Sequence, residues 1–305
     1  MKIKVLDALT LGDVNWEQFK AFGDLKLYET TNDNEIYRRV KDADILITNK
    51  VVIDKNVIDN AENLKLIQVA ATGTNNIDIE YANSKGIAVK NVSGYSTDSV
   101  VQLTFALVLG LVCKIKYFDN YSRKTYPDSH IFTRIDNWFQ IKGKRWGIIG
   151  LGNIGKRVGK IAESFGAVVV YYSTSGLNND NRFKRIELEE LLKTSEIITI
   201  HAPLNNNTKG LLDYEKLSLI KENAIIVNVG RGGIIAEKDL YKILENKDIY
   251  VGLDVYEKEP FEKDFGLLKF ENKTLLTPHI AWTSVEAREN LINGMYENIK
   301  DFLKK

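Results

Sequence analysis

RWGIIGLGNIGKRVGKIAESFGAVVVYYSTSG, residues 145–176, decides the fold. An apolar run (RWGII) leads into glycines at 150, 152 and 155, which open an amphipathic segment, IGKRVGKIAESF, closed by Gly166. A second β-rich run, AVVVYY (167–172), follows, so the stretch reads strand, glycine turn, helix, strand. Each glycine has its own task. Gly150 permits a tight turn, Gly152 lets an anion approach the backbone with no Cβ in the way, and Gly155 lets the helix lie close on the sheet. Backbone amides at a helix N-terminus receive a pyrophosphate, so a dinucleotide is expected over Gly150, Gly152, Asn153, Ile154 and Gly155. The competing reading is a purely structural glycine-rich turn, which the flanking strand and helix make less apt.

Ser173 stands where such a unit usually places an Asp or Glu to hold the adenosine ribose. A serine hydroxyl still bonds a ribose hydroxyl, more weakly than a carboxylate, and does not repel a 2′-phosphate. The next four residues, Thr174, Ser175, Gly176 and Leu177, bring no cation, whereas Arg182, Lys184 and Arg185 come later and could fold back. NAD is therefore the expected cofactor, with NADP not excluded.

Outward from this stretch, short apolar runs alternate with helical patterns along the whole chain. IKVLDA (3–8), LKLYET (25–30), DILITN (44–49), LKLIQVA (64–70) and IAVKNV (87–92) read as strands before residue 93. NWEQFKAFG (15–23) has helical composition between two of them. STDSVVQLTFALVLGLV (96–112) reads as one long helix capped by Ser96 or Thr97, and an irregular aromatic-rich arm spans about 116–140. A second series, at 145–150, 167–172, 196–201, 224–229, 250–255 and 274–279, then begins. The expected fold class is α/β, with two doubly wound parallel sheets.

With 42 Lys and Arg against 41 Asp and Glu, the net charge of +1 points to neither nucleic acid nor an anionic membrane as partner. The longest apolar run, Leu103 to Cys113, is roughly half of what crosses a bilayer. Cys113 is the sole cysteine, which speaks against a disulfide framework or thiolate metal site. A cytoplasmic protein without metal is expected.

Three stretches place polar residues directly after apolar strands, the edge where doubly wound sheets bind ligands: NVGRGGIIAEKDL (228–240), GLDVYEKEP (252–260) and LLTPHIAWTS (275–284). With GLGNIG and HAPL (201–204), they resemble the D-isomer-specific 2-hydroxyacid dehydrogenases nearly end to end. The resemblance implies a catalytic set of Arg231, Glu259 and His279. The chemistry suits these residue types. A guanidinium forks onto a substrate carboxylate and 2-oxygen, an imidazole exchanges the proton of the carbonyl or hydroxyl oxygen, and a carboxylate beside it favours the charged ring. Glu259 is preferred over Glu257 because it directly precedes Pro260, as in the family pattern; a formate-oxidising branch carries Gln there. Of the other histidines, His130 and His201 read as peripheral or structural, although the HAPL match also puts His201 along the cofactor.

By the same resemblance, Ala202, Pro203, Thr208, Asn228, Val229, Gly230, Asp254 and Thr104 join Ser173 as cofactor contacts, Asp254 near the nicotinamide amide. Backbone amides at Thr72 and Gly73 would bind the substrate carboxylate. Trp282 would wall the pocket or serve merely as a packing aromatic. The implied organisation is a flavodoxin-like substrate-binding domain, 1–98 plus 284–305, with a Rossmann cofactor domain, 99–283, inserted into it. The arm resembles the family's dimerisation element, so a homodimer is expected. GTNNID, GYSTDS and HIAWTS resemble the glycerate dehydrogenase, or hydroxypyruvate reductase, branch, although Leu103 stands where many of those have His. The implied reaction is reduction of hydroxypyruvate or glyoxylate; a bulkier 2-keto acid, or a nucleotide-sensing corepressor-like protein, are the alternatives.

Overall fold

The computed structural model describes residues 1–304. The chain forms two compact units, one made of Met1–Thr97 with the segment that begins at Trp282, the other of Asp98–Ala281.

The first unit holds a five-stranded parallel sheet: β1 (Lys2–Val5), β2 (Asp24–Leu27), β3 (Ile45–Thr48), β4 (Leu66–Val69) and β5 (Ala88–Lys90), in the order β2-β1-β3-β4-β5. The central strands ILIT and LIQV are buried at every position, as expected where helices cover both faces of a parallel sheet. Its helices are α1 (Asp33–Val40), α2 (Lys55–Asp59) and α3 (Ile79–Ser84). Asn32 and Glu35 close a capping box on α1, and Asp54 and Asp78 cap the other two through the amides of Val57 and Tyr81. The segment 15–23, expected to be helical, contains a 3₁₀ helix at Glu17–Phe22, ended by Gly23 at φ 143°.

The second unit opens with α4 (Thr97–Val112) and α5 (Ile115–Lys124), which differ in character. Eight α4 side chains are buried and α5 buries none. The arm is expected to be irregular; instead α5 runs into it as far as Lys124, supported by Asp119 and Arg123 paired at i,i+4. Seven parallel strands follow: β6 (Arg145–Ile149), β7 (Val168–Tyr172), β8 (Lys184–Arg185), β9 (Ile197–Ile200), β10 (Ile225–Asn228), β11 (Tyr250–Leu253) and β12 (Thr274–Leu276). Their order, β12-β11-β10-β9-β6-β7-β8, is the doubly wound Rossmann arrangement, whose strand order reverses between β6 and β9. Helices α6 (Asn153–Ser164), α7 (Leu188–Thr194), α8 (Tyr214–Ser218) and α9 (Glu237–Asn246) complete it.

The last helix, α10 (Val285–Leu303), belongs to the first unit. Ser284 caps it, and Ala287, Leu291, Ile292, Met295 and Ile299 form its buried stripe; the last four share a core with Ile3, Val5 and Phe19. Each large side chain on that stripe stabilises by about 1.5–3 kcal/mol. Among the described residues no single helix is long and apolar enough to cross a membrane; α4 and α5 reach the length only as a pair bent by 58°.

Candidate active site

The glycine turn after β6 shows a division of labour that can be read atom by atom. A Cβ on Gly150, at φ 92°, would meet Ala202 N at 2.8 Å, and one on Gly155 would meet Gly150 O at 2.3 Å. These two positions are closed by the fold itself. A Cβ on Gly152 would meet nothing within 4 Å, and Gly152 is the N-cap of α6 with no side chain satisfying the amides of the first turn. The first-turn amides of α6, at Asn153 and Ile154, thus start beside an uncrowded, uncapped Gly152, the arrangement that accepts an anionic phosphate. These residues fit a dinucleotide.

Around that turn the strand ends supply further groups. Ser173, just beyond β7, is buried and its Oγ has no hydrogen-bond partner. His201 follows β9; its backbone amide bonds Ile149 O, while both ring nitrogens are buried without partners. Burial alone pushes this imidazole down to about 3, so it is neutral. Thr208 is fully buried and gives its hydroxyl to Pro203 O at 2.7 Å, bracing the loop that begins at Ala202 and Pro203. Thr104, expected to face the cofactor cleft, is fully buried within α4, and its hydroxyl donates to Val100 O at 2.8 Å.

Three consecutive strand exits carry the remaining residues, and the register sets them side by side, Asn228 against Leu253 and Leu253 against Leu276. After β10, the Asn228 side chain accepts from Gly230 N at 3.0 Å and donates to Arg231 O at 2.9 Å, which folds Val229, Gly230 and Arg231 into a tight turn. The Arg231 guanidinium donates to Gly230 O at 2.7 Å. Gly232 is obligatory there, since its Cβ would lie 1.8 Å from Tyr256 O. The arginine turn therefore rests directly against the turn after β11.

In that second turn the two glutamates take different partners. Glu257 and Glu237 accept each other's backbone amides, at 2.9 and 2.7 Å, so Glu257 fastens the start of α9. Glu259 accepts from Tyr256 N at 3.1 Å through Oε1 and meets His279 Nδ1 at 2.6 Å through Oε2. His279 follows β12 at φ 56°, a left-handed conformation uncommon for a residue with a side chain.

Asp254 holds that turn in place, a part that the sequence reading missed. Its Oδ1 accepts from Thr277 Oγ1 at 2.7 Å and Ile280 N at 2.8 Å, and its Oδ2 from Ala281 N at 2.9 Å. Burial raises its carboxyl above the ordinary range, opposed by these bonds and by His279. The family pattern suggested a contact with the nicotinamide amide; the observed bonds make Asp254 the clamp on both sides of His279. The only signal in sequence was an Asp at a strand exit.

In the first unit, Thr72 is exposed, its hydroxyl donating to Val92 O at 3.0 Å, and Gly73 follows it in the loop after β4. Trp282 packs edge-on to Tyr95 at 6.4 Å against that unit's core. Among the described residues no group of His, Cys, Asp or Glu is arranged to hold a metal.

Residues 105–281 match the family model described as D-isomer specific 2-hydroxyacid dehydrogenase, NAD binding domain. The chain is 35% identical to a hydroxypyruvate reductase of Blautia hydrogenotrophica, over 100% of this chain and 97% of that one. It is 32% identical to a glyoxylate reductase of Thermococcus litoralis, over 100% and 95%. A solved acyclic imino acid reductase, Bsp5, in complex with NADPH and D-Arg, superposes with a TM-score of 0.89 at 31% identity, covering 100% of this chain and 97% of that one.

Proposed function

We propose, from the premise that this chain belongs to the D-isomer-specific 2-hydroxyacid dehydrogenases, that it reduces a short 2-keto acid, hydroxypyruvate or glyoxylate, to the D-2-hydroxy acid. The observation that carries the reading is the 2.6 Å contact between Glu259 and His279, on a turn that Asp254 clamps from both sides. In that reading a bound nicotinamide supplies the hydride. Arg231 holds the substrate carboxylate and its 2-oxygen, which orients the carbonyl carbon. His279, with Nδ1–H directed at Glu259, delivers a proton from Nε2 to the carbonyl oxygen. The Glu259 carboxylate, 2.6 Å from Nδ1, fixes the ring's tautomer and orientation. In the reverse direction the same nitrogen takes the hydroxyl proton.

Gly150, Gly152, Asn153, Ile154 and Gly155 would hold the pyrophosphate, with Ser173 at the adenosine ribose. Ala202, Pro203 and Val229 would line the dinucleotide. By family resemblance, the amides of Thr72 and Gly73 would assist with the substrate carboxylate. The two curated relatives above support the short substrates over bulkier ones. A homodimer is part of the same reading. The arm exposes Ile131, Phe132, Ile135 and Trp138, and Phe132 is 93% exposed, a cluster of apolar groups that a second copy would cover.

A spectrophotometric screen of both reduced cofactors against glyoxylate, hydroxypyruvate, pyruvate and 2-ketoisocaproate tests the function. Turnover with the first two should exceed that with the last two. Cofactor binding without turnover on any keto acid would favour a nucleotide-sensing protein instead.

A further inference from the structure

The loop after β7 returns on itself and brings back one of the later cations that the sequence left free to do so, Arg185. Ser173 ends the strand, 3% exposed, with its hydroxyl unpartnered. Two residues earlier, the Tyr171 hydroxyl donates to Asn178 O at 3.3 Å and accepts from Asp180 N at 3.2 Å, fastening the far side of the loop. The chain then enters β8, which lies parallel to β7 with Arg185 opposite Tyr171. Arg185 consequently stands at the exit of β7, and its guanidinium donates to Gly176 O at 3.0 Å.

The surrounding charges leave this guanidinium without a counter-ion. Asp180 lies 3.6 Å from Lys156, and Glu163 pairs with Arg182. The turn 173–177 has three hydroxyls, on Ser173, Thr174 and Ser175, and no carboxylate. Among the described residues Arg185 forms no ion pair.

In a doubly wound unit the adenosine ribose lies at the end of the strand corresponding to β7; an acid there binds the 2′-hydroxyl, and a nearby arginine accommodates a 2′-phosphate. We infer that Arg185, with the Ser173 and Ser175 hydroxyls, forms a 2′-phosphate subsite, so that the chain prefers NADP(H) to NAD(H). This rests on the proposal that the second unit binds a nicotinamide dinucleotide. It revises the expectation of NAD: the four residues after Ser173 carry no cation, but the neighbouring strand does.

Fluorescence titration of the purified chain with NADPH and NADH at fixed ionic strength tests this, with 2′,5′-ADP and 5′-AMP as competitors. NADPH should bind about tenfold or more tightly than NADH, and 2′,5′-ADP should compete better than 5′-AMP. Arg185→Gln should weaken NADPH by about ten- to a hundredfold, the range for a lost charged hydrogen bond, while NADH stays within about twofold. Arg182→Gln should leave both unchanged. Ser173→Asp should reverse the preference, because a carboxylate there repels the phosphate. Tighter binding of NADH by the unaltered chain, or equal losses for both cofactors in Arg185→Gln, overturns the subsite while leaving the dinucleotide unit standing. Binding of neither cofactor overturns both.

Discussion

Asp254 is the residue on which the geometry of the proposed proton donor depends. Its two oxygens accept three bonds from residues 277–281, and His279 sits between the clamped positions in a left-handed conformation that isolated chain would disfavour. Asp254→Asn replaces one acceptor oxygen with a donor facing an N–H or O–H. The expected loss is about 1–3 kcal/mol of stability in urea unfolding. Turnover should fall by about tenfold or more from misplacement of the imidazole, with dinucleotide affinity retained. Full turnover in a folded Asp254→Asn would contradict the clamp. In the sequence the preference for Glu259 over Glu257 rests only on the neighbouring proline, since both glutamates are polar residues near one strand exit. What separates them is a long-range partner, Glu237 for one and His279 for the other, and no local pattern encodes that.

Among the elements, the glycine turn gives the sharpest contrast. Gly152→Ala should leave the melting temperature nearly unchanged, because its Cβ would enter open space, yet weaken dinucleotide binding by about tenfold, roughly 1.4 kcal/mol. Gly232→Ala should do the reverse first: a Cβ 1.8 Å from Tyr256 O forces the backbone apart. The expected destabilisation is about 1–3 kcal/mol, as for other overpacked sites. Paired calorimetry and cofactor titration of the two variants check both outcomes. The strands were readable because parallel strands buried on both faces are continuous apolar runs, such as IIVN and IITI. Three elements were not. The 3₁₀ helix at Glu17–Phe22 has helical composition, α5 lies within an arm of aromatics that masks its period, and β8 is only Lys184 and Arg185, without apolar character. The unread β8 is the element that supplies the proposed 2′-phosphate cation.

For the whole molecule, pH dependence of stability follows from buried groups outside the proton-transfer pair. His201 is held at about 3 when folded, against an ordinary value of 6.5, so the unfolded chain takes up its proton first. Stability from this group is complete above about pH 6.5 and declines as pH falls toward 3, by about 2 kcal/mol at pH 5. His201→Phe should flatten that slope in urea midpoints measured from pH 7 to 4. Burial raises the carboxyl groups of Asp7 and Asp254, so their linkage has the opposite sign: it favours the folded state below the ordinary carboxylate range and is lost as pH rises through the folded values. At the level of assembly, Phe132→Asp with Ile135→Asp should convert the proposed dimer to monomers in sedimentation velocity, and an unchanged sedimentation coefficient would contradict the arm as the contact.

In the proposed reaction one proton arrives with the hydride, and His279→Ala isolates that step. Stopped-flow oxidation of the bound reduced cofactor by hydroxypyruvate should slow by about 10²–10⁴-fold, the usual contribution of a positioned acid, while the cofactor's affinity stays unchanged. Hydride transfer at the unaltered rate in the folded variant would contradict the role given to His279 and to the carboxylate behind it.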